Sequence, residues 1–67
     1  MALSLKAARV NAGYTQLGAG KKLGVSKETI SNWERSKSYP PMDKLMDICN
    51  LYKVKLDDLI FLPSNNA

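Results

Sequence analysis

The stretch GVSKETISNWERSK, residues 24–37, sets an ammonium at Lys27, a carboxylate at Glu28, a hydroxyl at Ser31 and a carboxamide at Asn32 close together. These groups supply hydrogen-bond donors and acceptors of several kinds, without a base beside a nucleophile. Their chemistry is recognition of another molecule's polar edges rather than the making of bonds. At 100° per residue, Lys27, Glu28, Ser31, Asn32 and Arg35 share an arc of about 140°, and Ile30 and Trp33 fall on the other side. One face anchors and the other is presented.

The rest of the chain adds no reactive group to this set. There is no histidine, and the single cysteine, Cys49, has no disulfide partner within the chain. The usual Cys/His nucleophile pair and the usual zinc site are therefore missing. Asp57 and Asp58 are adjacent and would point apart on a helix. No catalytic residue, metal, cofactor or small-molecule substrate is expected, and an enzyme is set aside.

The elements that position Lys27 to Asn32 must come from 67 residues, 45% hydrophobic and 24% charged, which make one small domain. A domain of this size buries only roughly 60% of its unfolded surface, so an oligomer or a bound partner would add stability. The net charge of +4 is unevenly spread. Residues 1–37 hold seven Lys/Arg and two acids, a balance of +5, whereas residues 38–67 hold three Lys and four Asp, a balance of −1. The positive half contains the polar face, which suits an anionic partner. No segment resembles an export signal or approaches the roughly 20 apolar residues of a membrane span, so a cytoplasmic protein without membrane contact is expected.

Turn signals and apolar spacing predict five helices in an all-α domain over residues 1–63, with 64–67 as a frayed end. Ser4 caps a first helix running to about Ala12 and stopped by Gly13. Thr15 caps a second, ended by Gly24. Ser26 caps a third, reaching about Arg35, and SKSYPP follows as a loop. The fourth starts near Met42, with Leu45, Ile48, Cys49 and Tyr52 on one face and Met42 and Met46 toward its edge. Cys49 and these methionines read as core. LDDLIF suits a brief fifth helix, and no strand pattern competes.

Two helices that meet steeply across a short turn need a small residue where their backbones approach and a left-handed residue in the turn. Gly20 and Gly24 meet those needs, and Ile30 and Trp33 anchor the next helix. This is the spacing of a helix-turn-helix that lays its second helix in the DNA major groove. AGYTQ, KKLGVSKETISNWERSK and LDDLI resemble the Cro and lambda-repressor type of helix-turn-helix, the XRE family, over about residues 3–62.

The resemblance implies that Lys27, Glu28 and Asn32 read base edges, with Ser31 between them as a further contact. Lys27 can donate to guanine, Glu28 can accept from cytosine and Asn32 can pair with adenine. It implies backbone contacts at Gln16, Ser26, Ser36, Lys37 and Tyr39, and an Arg9–Glu34 pair that joins the first helix to the third. The implied partner is a double-stranded DNA operator, and the implied protein a Cro-like repressor of phage or mobile-element type or the DNA-binding half of a longer repressor. With no effector domain attached, occupancy alone would regulate.

Leu17 and Gly18 stand where the family is commonly polar or acidic, so Thr15 lacks the glutamate of a capping box, and Ser36 replaces a frequent glycine. Ile60, Phe61 and Leu62 are more apolar than a tiny core absorbs, which suggests a homodimer through the fifth helix and the tail. The alternative is an antitoxin-like or adaptor module that uses Leu17 and the IFLP segment on another protein.

Overall fold

The computed structural model describes residues 2–61. Three hydroxyls open its first three helices: Ser4 caps α1 (Leu5–Asn11), Thr15 caps α2 (Gln16–Leu23) and Ser26 caps α3 (Lys27–Glu34). Each accepts a hydrogen bond from the backbone N–H three residues on, at 3.0, 2.9 and 3.1 Å. Such a cap contributes about 1 kcal/mol. Gly18 donates the second of these bonds, and a Cβ there would stand 3.1 Å from the capping oxygen of Thr15. The glycine therefore gives the cap room.

All four helices, including α4 (Met42–Tyr52), close in the same way. A backbone N–H returns to the carbonyl five residues earlier, from Tyr14 to Arg9, Val25 to Gly20, Lys37 to Asn32 and Val54 to Cys49. This closure needs a left-handed residue just before the donor. Gly13 and Gly24 supply it freely, but Ser36 and Lys53 adopt it with φ of 59° and 58°. A left-handed non-glycine residue costs about 1–2 kcal/mol, against roughly 0.4–1 kcal/mol of extra unfolded-state freedom when glycine replaces it. Ser36→Gly is thus expected to raise stability by about 0.5–1 kcal/mol, read as a higher urea midpoint with unchanged slope.

Between these ends, Leu5, Ala8, Ala19, Leu23, Ile30, Trp33, Ile48 and Tyr52 form the core, with Leu3, Ala12, Tyr14, Val25, Leu51, Val54 and Leu59 packed against it. Met42 and Met46 are a correction to the expected core, since both lie on the outer side of α4 and are more than half exposed. Cys49 is partly buried, which pushes its thiol pKa up.

The fifth helix is also corrected. Leu56–Asp58 makes a single 3-10 turn, and Leu59–Ile60 then runs extended as β2, parallel to β1 (Leu3–Ser4), pairing Leu3 with Leu59 and Ser4 with Ile60. A helix this short has too few hydrogen bonds to offset nucleation, whereas the strand edge before α1 offers ready partners. The pairing turns Leu59 toward the core and leaves Ile60 exposed. Among the described residues, the domain has four α-helices and this one short strand pair.

Candidate nucleic-acid interface

Geometry starts at the hinge between α2 and α3. Gly20 is buried there, and a Cβ on it would meet the Val25 carbonyl oxygen at 2.6 Å, so only glycine lets the two backbones come this close. Lys44 of α4 donates to the carbonyl of Leu23 at 2.8 Å, closing the carboxyl end of α2 beside Gly24. The ammonium also opposes the negative end of that helix.

Behind the hinge lies a charged brace. Arg9 Nε donates to Glu34 Oε2 at 2.6 Å and its Nη2 to Oε1 at 3.3 Å, while Nη1 donates to the Tyr14 carbonyl at 2.7 Å. The two side chains are only 9% and 5% exposed. The hydrogen bond to Glu34 raises the Arg9 pKa above its ordinary value, against the opposing effect of burial. Tyr52 lies close by, its pKa pushed up to about 12, first by burial and then by the Glu34 charge. The brace thus joins α1 to the last residue of α3.

Gln16 completes the brace, its Nε2 donating to Glu34 Oε1 at 3.1 Å. One of its amide hydrogens is thereby used inside the protein, and the other remains for an acceptor outside. α2 is held to α3 by that bond as well as by the hinge.

α3 carries the four residues expected to read a partner. Lys27 and Glu28 are exposed, and Ser31 and Asn32 are half-buried on the same face, opposite the buried Ile30 and Trp33. Ser26 is exposed at the amino end, its hydroxyl shared with Thr29 at 3.0 Å. Glu28 sits in the first turn, where a carboxylate complements the positive end of the helix.

The loop after α3 divides the remaining expected contacts. Lys37 and Tyr39 are exposed, whereas Ser36 is buried. Tyr39 instead meets the ring of Phe61 edge-on, with centroids 6.2 Å apart. Ile60 and Phe61 are both partly exposed, Leu17 stands exposed on α2, and Leu62 lies outside the described residues. The face expected to join two copies is therefore an extended strand and its end, not a helix.

Two partners escaped the sequence reading. Arg35, on the reading arc, donates from Nη2 to Asn32 Oδ1 at 3.2 Å, a contact that its spacing of three residues allows. The Lys44 contact spans 21 residues and left no local signal. No helix among the described residues is long and apolar enough to cross a membrane.

Residues 5–59 match the HTH_3 (Helix-turn-helix) family. Over 56 residues the chain is 45% identical to the HTH-type transcriptional regulator ImmR of Bacillus subtilis (strain 168), covering 84% of this chain and 44% of that one. It is 36% identical over 56 residues to the HTH-type transcriptional activator BcrR of Enterococcus faecalis, covering 84% and 28%. A third relative, the uncharacterized HTH-type transcriptional regulator YgzD of Bacillus subtilis (strain 168), is 27% identical over 62 residues, covering 92% and 94%. The chain thus spans less than half of the first two relatives. No solved structure gives a significant match. By its hinge glycines, its capped α3 and these matches, the chain belongs to the Cro and lambda-repressor type, or XRE, family of helix-turn-helix domains.

Proposed function

We propose that this chain is the DNA-reading domain of a transcriptional regulator and that α3 enters the major groove of an operator. The observation that carries this reading is the braced α3 itself. Its apolar side is fixed by Ile30, Trp33 and the buried Arg9–Glu34 pair, while Lys27, Glu28, Ser31 and Asn32 look outward. A helix anchored from behind at Ile30, Trp33 and Glu34 and bearing base-edge chemistry in front suits direct readout. The relatives named as transcriptional regulators support the same class.

In this reading, Gln16, Ser26, Ser36, Lys37 and Tyr39 contact phosphates and set the register, which carries no sequence information by itself. Two copies joined through Ile60, Phe61 and Leu62 present their α3 helices about 34 Å apart, one turn of DNA, to an approximately palindromic site. A Cro-like dimer bound at a promoter excludes polymerase from it, so occupancy gives repression. Affinity falls steeply with salt because phosphate neutralisation releases counterions.

The test titrates the full chain and its Lys27→Ala, Asn32→Ala and Phe61→Ala variants against a duplex enriched from a randomised library. Loss of a good base contact costs about 1–3 kcal/mol, so Lys27→Ala and Asn32→Ala are each expected to weaken specific binding by roughly 5- to 150-fold. A protein-binding module would be indifferent to both changes and would lose its partner at Phe61. The exposed Leu17 and Phe61 favour that rival, and equal affinity of wild type and both α3 variants would remove the support for base readout by α3.

A further inference from the structure

Asn32 of α3 and Arg35, which caps the carboxyl end of that helix, stand three residues apart on one outward arc, and Arg35 Nη2 donates to Asn32 Oδ1 at 3.2 Å. An unassisted asparagine reads adenine bidentately, accepting from N6–H through Oδ1 and donating to N7 through Nδ2. Here the accepting atom already has a guanidinium against it. Oδ1 keeps a second lone pair, but an adenine amino group reaching it must share the oxygen with the guanidinium that the helix spacing places beside it, which weakens the adenine pairing.

From this geometry, and on the basis of the DNA-reading role above, we infer that Arg35 is a specificity-determining residue and that Asn32 and Arg35 read guanine as one unit. Its N7 and O6 are both acceptors. The Nδ2 of Asn32 and a free N–H of Arg35 present donors side by side, matching that pair. Arg35 thus converts an adenine reader into a guanine reader without changing Asn32. Its exposed side chain lies outside the core and the brace, so its replacement leaves the fold intact.

Parallel selections on a randomised duplex library with wild type, Asn32→Ala, Arg35→Met and Arg35→Lys test this directly. Asn32→Ala identifies the base pair that Asn32 faces, as the position whose preference disappears. Wild type is expected to enrich guanine there, Arg35→Met to move the guanine-to-adenine ratio by about tenfold toward adenine, and Arg35→Lys, which keeps a donor, to retain guanine. If Arg35→Met binds more weakly at every sequence with the same base preference, Arg35 is a phosphate contact and the inference is overturned. Adenine in the wild-type motif overturns it too, while leaving the DNA-reading function standing. No enriched motif from wild type overturns both.

Discussion

Glu34→Ala is expected to remove about 3–5 kcal/mol of stability, because it leaves the Arg9 guanidinium buried with only the Tyr14 carbonyl as its partner. A domain of this length has about 3–10 kcal/mol in total, so most molecules would be unfolded at the low end of that range. Arg9→Met should cost a similar amount by stranding the carboxylate beside Gln16. Replacing both by Met and Leu should cost less than either alone, since no unpaired charge remains. Trp33, the only tryptophan and a core residue, reports all three by fluorescence in urea. A loss below about 1 kcal/mol from a single replacement is the behaviour of an exposed pair and would leave the brace without support.

Gly20→Ala is the second large effect. Its methyl would lie 2.6 Å from the Val25 carbonyl oxygen and 3.3 Å from two backbone atoms of Ser26. Backbone cannot rotate aside as a side chain does, so α2 and α3 must part. Overpacking of this kind costs about 1–3 kcal/mol, which outweighs the roughly 1 kcal/mol that alanine gains in helix propensity. Under the proposed function, the hinge also sets the angle at which α3 meets DNA. Operator affinity is therefore expected to fall by more than tenfold even where the protein remains folded, because misplacement strains several base contacts at once. Gly18→Ala is the control, since its Cβ meets a side-chain hydroxyl, at 3.1 Å, that can yield by a few tenths of an ångström. An operator affinity for Gly20→Ala equal to that of Gly18→Ala would show that the close approach is not needed.

The helix starts were legible because Ser4, Thr15 and Ser26 each announce an N-cap by residue type. Gly13 and Gly24 marked stops in the same local way, and Gly20 marked the crossing. The β1–β2 pair was not legible, because two residues per strand are too few to show alternation and LDDLIF is equally compatible with a helix. Its partners lie 56 residues apart in sequence, as Leu3 and Leu59 show. At Met42 and Met46 the edge of a helical face was mistaken for its interior. In the candidate site, residue types on α3 gave the outward arc, but their mutual bonds depend on rotamers that spacing does not determine. Gln16 turning inward to Glu34 and Arg35 reaching back to Asn32 are both of this kind.

Under the proposed function, the brace and the hinge hold α3 rigidly against DNA. The most direct test is selection of the purified 67-residue chain on a randomised duplex library at near-physiological salt, with sequencing of the retained DNA. Enrichment of a two-fold symmetric motif, its half-sites one helical turn apart, is expected. A folded protein that enriches no sequence would rule out operator reading by α3.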